Sequence, residues 1–275
     1  MNRSLSTSVL LLSLAAACAH AADAPSLTAT ANVNLVSDYR FRGITQTWGK
    51  PAVQGGADLA WANGFYLGTW ASNVSGNTYP GGSLEIDTYG GYNGKIGDDF
   101  GWTAGVYAYW YPGANFDRAA CPSAAFPGPC AQPSQKLDTV ELNAGASWKW
   151  LSYKLSVSTG DYFGANAKTG YGGHTSGTLY HDLTATVPLA DDLSLVAHLG
   201  RTDLRASYGS VSGDYTDWRV ALTKTWDKGW SLGGAVVGAD NDRYWRPPVG
   251  GLSFANGDTR DVNKTTFVVQ LGRTF

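Results

Sequence analysis

The sequence predicts an all-β fold: a transmembrane antiparallel up-and-down β-barrel of about twelve strands, with short periplasmic turns and long external loops. Three observations predict it. Apolar and polar residues alternate with period two in segment after segment, the links between segments alternate short and long, and aromatic rings gather at segment ends. Composition agrees. Of 275 residues, 13% are aromatic and only 15% charged, with 35 Gly, 11 Trp and 15 Tyr. A disordered chain would carry fewer rings and more net charge. A helical bundle would not tolerate so much glycine, which costs about 1 kcal/mol per helix-interior position. A formal net charge of −2 gives no basic footprint for nucleic acid.

The N-terminus reads as a signal for export. Arg3, the apolar run from Val9 to Ala17 and the small residues of Ala19-His20-Ala21 make a secretory signal peptide, cut after Ala21. Residues 22–275 are then one barrel domain. The apolar run is too short to cross a bilayer. Cys18 is not read as a lipidation site, because Ala15 stands where Leu would be expected. Cys121 and Cys130 remain after cleavage and close a Pro-rich loop. In an oxidising compartment they are expected to form a disulfide. No His or second Cys pair stands at metal-ligand spacing, so no metal is expected. Neither a phosphate-binding Gly loop nor an EF-hand spacing occurs, so no cofactor is expected.

Each strand follows from its alternation. The first sets Leu27, Ala29, Ala31, Val33, Leu35, Tyr39 and Phe41 against Thr28, Thr30, Asn32, Asn34, Asp38, Arg40 and Arg42, long enough to cross a membrane at a tilt. Val53, Ala57, Leu59 and Trp61 follow against Gln54 and Asp58. After the hairpin signal Asn63-Gly64, Phe65, Leu67 and Ala71 oppose Tyr66, Trp70 and Ser72. Leu84 and Ile86 then oppose Glu85, Asp87 and Tyr89. Trp102, Val106 and Trp110 oppose Thr103, Tyr107 and Tyr109. Val140, Leu142 and Trp148 oppose Glu141 and Asn143, and Leu151, Tyr153 and Leu155 oppose Ser152 and Lys154. Leu183 and Val187 oppose Asp182 and Thr184, and Leu195 and Leu199 oppose Val196 and His198. Trp218, Val220 and Leu222 oppose Arg219 and Thr223. Trp230, Leu232 and Val236 make the weakest segment, and Phe267, Val269 and Leu271 the last. Twelve is an even number, as bacterial single-chain barrels have.

Short links fall at Asn63-Gly64, Gly97-Asp98-Asp99, Lys149-Trp150, Ala190-Asp191-Asp192 and Asp227-Lys228-Gly229. Longer ones, near 43–51, 73–82, 112–137, 160–177, 205–214 and 239–262, alternate with them. A soluble barrel or sandwich has no reason to sort its loops by end, whereas an outer-membrane barrel does. Trp61, Trp102, Trp148, Trp150, Trp226 and Trp230 lie beside the short links. Tyr39, Phe41, Trp110, Phe163 and Trp218 lie near the long ones. The two groups are expected to form the aromatic girdles of a membrane barrel. The terminal Phe275 closes an amphipathic strand and resembles the signal read by the barrel-assembly machinery. Arg273, where an apolar residue would be usual, departs from it.

The residues 34–47 (Asn-Leu-Val-Ser-Asp-Tyr-Arg-Phe-Arg-Gly-Ile-Thr-Gln-Thr), 64–73, 85–92 and Tyr109-Trp110-Tyr111-Pro112-Gly113 are distinctive. Together they resemble the TorF-type porins, a proteobacterial family of exported proteins. The resemblance is strong over roughly 30–113 and looser beyond, where Asp161-Tyr162-Phe163-Gly164 continues it. The Cys121–Cys130 insert is not part of that pattern. The resemblance implies an outer-membrane barrel that passes small solutes.

With the apolar set on lipid, the interior would be lined by Asp38, Arg40, Arg42, Asp58, Glu85, Asp87, Tyr107, Tyr109, Glu141, Lys154, Asp182, His198 and Arg219. Barrels of about 8 strands are filled by side chains and those of 16–18 hold a water channel. Twelve predicts a narrow wet pore for small polar solutes, with carboxylates slightly in excess and hence a weak cation preference. Asp38, Arg40 and Arg42 share one face of the first strand and are the expected constriction. Two other functions compete. A closed structural or adhesion barrel would act through its loops. A lipid-modifying hydrolase could use His174 and Ser176, though a Gly-rich loop holds catalytic geometry poorly. Arg201 and Arg205 at the outer rim suit contact with lipopolysaccharide.

Overall fold

The computed structural model describes residues 26–120, 132–247 and 250–275. The expected signal peptide and the Cys121–Cys130 pair lie outside the described residues. In chain order the strands are β1 (Leu27–Val36), β2 (Arg40–Phe41), β3 (Ile44–Thr45), β4 (Ala52–Trp61), β5 (Phe65–Asn73), β6 (Leu84–Ile96) and β7 (Phe100–Trp110). Then come β8 (Thr139–Trp148), β9 (Leu151–Ser158), β10 (Leu179–Ala190), β11 (Leu193–Asp203), β12 (Tyr215–Thr225), β13 (Trp230–Ala239) and β14 (Thr266–Thr274). All but β2 and β3 form one closed antiparallel barrel, each strand paired with its sequence neighbours and β1 sealed against β14. The twelve-strand barrel expected from periodicity is therefore present. No helix among the described residues is long and apolar enough to cross a membrane.

The short links sit at one end together with both barrel-strand termini, and the six long connections crowd the other. Full closure leaves no sheet edge unpaired, and a strand of 9–11 residues at a tilt is enough to cross a hydrocarbon layer. Among the described residues, the regions 160–180 and 239–262 add no barrel strand beyond the ends of β10 and β13; they hold short helical turns such as Tyr162–Gly164 and Asp242–Trp245.

Burial is inverted relative to a soluble protein. Leu35, Val53, Phe65, Leu142, Leu199, Val220 and Phe267 are more than half exposed on the outside, while Glu85, Asp87, Glu141 and Asp217 are at most 2% exposed inside. Buried carboxylates and a bare aliphatic belt would both be penalised in water. In hydrocarbon they are the required arrangement. The six tryptophans beside the short links and Trp110 at the other end all present exposed rings outward. Arg273 also faces out, its guanidinium over the rings of Trp230 (5.3 Å) and Phe275 (4.6 Å). A cation among the rings at the barrel's rim reaches interfacial water while its stem stays apolar.

Two expectations need correction. The first strand does not continue to Arg42: β1 ends at Val36, and the chain then leaves the wall and folds inward. For the same reason Tyr39 and Phe41 are not girdle residues. Tyr39 and Phe41 pack inside, and so does Phe163, which stands 5.7 Å from Phe41 ring to ring.

Candidate functional site

The segment 37–51 supplies the feature that organises the interior. One further rung, Ser37 N–H to the Val269 carbonyl at 2.9 Å, extends the β1–β14 ladder before the chain turns in. β2 and β3 then pair through Arg40↔Thr45 and Phe41↔Ile44. The turn between them places both Arg42 (φ 47°) and Gly43 (φ 79°) in the left-handed region, as a tight two-residue hairpin requires. Gly43 is there because a side chain would not fit: a Cβ would lie 2.6 Å from the Gly238 carbonyl oxygen and 2.9 Å from Asp217 Cβ.

Polar bonds hold the base of the hairpin. Asp38 accepts from Arg40 Nε (2.6 Å), Thr45 Oγ1 (2.5 Å) and Thr47 Oγ1 (3.1 Å). Arg40 Nη1 donates to the carbonyls of Gly43, Val262 and Lys264, and Nη2 to Thr266 Oγ1, all within 3.0–3.1 Å. Apolar packing does the rest. Tyr39 and Phe41 pack with Trp70, Tyr109 and Tyr111 on the β5–β7 side, whereas Ile44 and Trp48 pack with Tyr215 and Ala239 on β12 and β13. The hairpin thus runs from one wall to the other. Burying side chains of this size contributes about 1.5–3 kcal/mol each.

At the tip, Arg42 crosses to β8 and grips Glu141 with two bonds, Nη1–Oε1 at 2.9 Å and Nη2–Oε2 at 2.7 Å. Its Nη1 also donates to Tyr162 Oη (2.8 Å), and the guanidinium lies 3.8 Å from the ring centroid of Tyr180 on β10. The expectation that Asp38, Arg40 and Arg42 share one face is corrected accordingly. The left-handed turn sends Arg42 into the lumen, while Arg40 stays at the hairpin base with Asp38 and the last outer loop.

The remaining interior residues sort by wall. On β4–β8 the charges other than Lys95, at the short-turn end of β6, are all carboxylates, each met by a phenol: Asp58 by Tyr89 (2.6 Å), Glu85 by Tyr39 (3.1 Å), Asp87 by Tyr107 (2.9 Å), and Glu141 by Tyr109 (3.4 Å) as well as Arg42. Tyr89 and Tyr107 stack with centroids 4.9 Å apart. Oε2 of Glu85 and Oδ1 of Asp87 have no partner among the described residues. On β9–β12 the cations gather. Lys154 stands across the ladder from Asp182, and Arg219 across from His198. His198 lies between two carboxylates, Nδ1 3.2 Å from Asp182 and Nε2 3.0 Å from Asp217, with Thr184 and Tyr180 hydroxyls at 3.1 Å. The β4–β8 wall is therefore the more acidic one, while the cations of β9–β12 stand among carboxylates of their own, and a low-dielectric lumen strengthens the interactions among these charges.

Asp217, Tyr162 and Tyr180 are absent from the sequence-based set. Asp217 was within reach of it: two positions before Arg219, it occupies the same face of β12, ahead of the strand start read at Trp218. Tyr162 lies in a loop and carries no periodic signal. His174 and Ser176, the hydrolase alternative, do not bond to each other. His174 Nδ1 faces Asp161 at 3.3 Å, and the Ser176 hydroxyl donates to the Thr159 carbonyl at 3.1 Å. Arg201 points outward at the rim, 2.9 Å from Asp203, and Arg205 is exposed beside it.

Among solved structures, a KdgM porin in complex with disordered oligogalacturonate has the same fold, with a TM-score of 0.50 at 10% identity over 90% of this chain and 99% of that one. A NanC porin in a rhombohedral crystal form gives a TM-score of 0.49, 10% identity, and 90% and 99% coverage. OccD1 (OprD) gives 0.37 at 12% identity, over 92% of this chain and 67% of that one. At such identities the likeness speaks for the fold alone. No curated protein matches this chain. Residues 19–275 match the family described as bacterial protein of unknown function (Gcw_chp), and the chain belongs to that family.

Proposed function

We propose that this protein is an outer-membrane channel for passive diffusion of small polar solutes, narrowed in its outer half by the 37–51 hairpin. One observation carries the reading: a closed twelve-strand barrel with an aliphatic outer belt and an ionisable interior. Such an interior has no stabilising purpose that apolar filling would not serve better, whereas a solute path needs it. The TorF-type resemblance over 30–113 points the same way, as does the N-terminal sequence pattern of a signal peptide ending at Ala21. The chemistry is non-covalent. Outer-membrane lipid and lipopolysaccharide would surround the barrel, with Arg201 and Arg205 at the outer rim, and Phe275 would serve its assembly. Asp58, Glu85, Asp87, Lys154, Asp182, His198 and Arg219 would line the path, and Arg42 with Glu141 would set its narrowest part.

The experiment is single-channel recording from refolded mature protein in a planar bilayer. Discrete conductance steps with a small cation-leaning reversal potential in a salt gradient are expected. The wall-to-wall hairpin favours one second reading, a barrel closed at rest that acts through its external loops. A heat-modifiable barrel without conductance steps would select that reading over the first.

A further inference from the structure

At the long-loop mouth, between the base of the hairpin and the last outer loop, lies a cavity of about 400 Å3 bordered by Arg40, Thr259, Arg260, Asp261, Lys264 and Thr266. Its volume falls in the range of small-molecule sites, roughly 300–1,000 Å3, but its lining is polar rather than apolar. Three cations face one carboxylate. That carboxylate has a partner outside the cavity lining, since Asp261 Oδ1 lies 3.7 Å from Arg246 Nε. Arg260 and Lys264 form no ion pair among the described residues.

Of the three cations, Arg40 is fixed in place while Arg260 and Lys264 are exposed. Arg40 spends Nε on Asp38 and both Nη1 hydrogens on three carbonyls, and one Nη2 hydrogen on Thr266. Of the five N–H donors of a guanidinium, one Nη2 hydrogen remains for a ligand. Arg260 lies directly over Gly49, a left-handed residue (φ 68°) whose missing side chain makes the room: a Cβ there would collide with Arg260 Nη2. The segment carrying Arg260 and Lys264 is tied to the hairpin by the Thr45 N–H to Val262 carbonyl bond at 3.0 Å. The cavity lies at the start of β14, where Arg40 meets Lys264 and Thr266.

We propose that this cavity captures small hydrophilic dianions, with Arg260 and Lys264 contacting their oxygens and Arg40 supplying a fixed donor at the floor. Unpaired guanidinium and ammonium groups converging on a polar hollow suit carboxylate or phosphate oxygens, and a planar guanidinium can meet a carboxylate with two bonds. The proposal goes beyond the channel reading by setting an anion site at the mouth of an interior that leans towards cations, and it rests on that reading for its purpose.

The test is binding, kept separate from conduction. Refolded full-length mature protein in neutral detergent is titrated calorimetrically with succinate and, in parallel, with the neutral isostere succinamide. Expected are saturable succinate binding at low ionic strength, weakening as salt shortens the Debye length to about 10 Å at 0.1 M, and no succinamide binding. Arg260→Gln with Lys264→Gln should weaken succinate binding about tenfold or more, as loss of charge-assisted bonds predicts. Lys149→Gln, at the opposite end of the barrel, should leave it unchanged. Heat-modifiable migration on a gel verifies that each variant is folded. Equal binding of succinamide, full affinity in the folded double variant, or no succinate binding by the wild type at low salt each overturns the proposal. A conducting protein that binds no succinate removes the mouth site and leaves the channel. An electrically silent protein that binds succinate does the reverse.

Discussion

The outer and inner halves of the barrel interior are built from different chemistry on the same strands. Towards the long loops the lumen holds Glu85, Asp87, Glu141, Asp217 and Tyr180, crossed by the hairpin and its Arg42. Towards the short turns the same faces carry mostly small neutral residues, such as Thr103 and Gly105 on β7, Asn143 and Gly145 on β8, Ser152 on β9, Thr223 on β12 and Gly233 on β13, with Asp58, Tyr66 and Lys95 as exceptions. Both halves share one hydrogen-bonded wall, so the difference comes from side chains alone. Bulk and most of the buried charge are concentrated towards the long loops. Selectivity should therefore belong to the outer half.

The largest effect should come from removing the hairpin. Replacing 38–47 by a short Gly-Ser link should raise single-channel conductance several-fold, because the wall would keep its ladder while the lumen lost its cross-piece. Unchanged conductance would show that the hairpin does not lie in the path. Next in size is Glu141→Gln, which leaves a buried guanidinium without its counter-charge and should cost about 3–5 kcal/mol, read as a lower denaturant midpoint. Converting both Arg42 and Glu141 to Met should recover much of that loss, since well-packed apolar pairs replace buried ion pairs at little cost. Arg42→Gln should shift the reversal potential further toward cations, with the carboxylates of β4–β8 left dominant.

The wall of this molecule was legible and its cross-piece was not, for a physical reason. Alternation reports which side of a sheet a residue faces, so Glu85, Asp87 and Glu141 were assignable from period two alone. The hairpin is also extended chain, and its own alternation continues that of β1 from Leu35 through Tyr39 to Phe41. The break is a left-handed Arg42, a conformation that arginine does not advertise, with Gly43 as the single local hint. Phe163 was misplaced by a related error. A ring near the end of a strand can turn outward to lipid or inward to a plug, and only tertiary contact decides between them.

The inner half sharpens the comparison through a small effect. Asn143→Ala or Thr223→Val should leave the reversal potential unchanged within measurement, and a shift comparable to that of Arg42→Gln would erase the distinction between halves. The smallest effect lies outside the membrane-spanning wall. Burial raises the Asp161 carboxyl, but the Thr175 N–H, the Asn166 amide and His174 together outweigh it and hold the pKa below the usual carboxylate range. A depressed carboxylate stabilises its loop above the unfolded value of about 4 and loses that contribution as pH falls through the folded value. Amide exchange in 159–178 should therefore rise on acidification below about pH 4, relative to the trend of the other outer loops. Asp161→Asn should remove that difference.

The seam between β1 and β14 has a consequence for the order in which the molecule is assembled. β1 pairs with β4 along its whole length, from Leu27–Trp61 to Val36–Ala52, but meets β14 only from Asn32–Thr274 to Val36–Gln270. Arg40 reaches across that seam to the carbonyls of Val262 and Lys264. These partners lie at opposite ends of the chain, so their meeting carries the largest loop-closure entropy in the fold. The hairpin base is thus completed only once the last strand has arrived. Until then the twelve strands can form an open, growing sheet, and the final closure both seals the wall and seats its cross-piece.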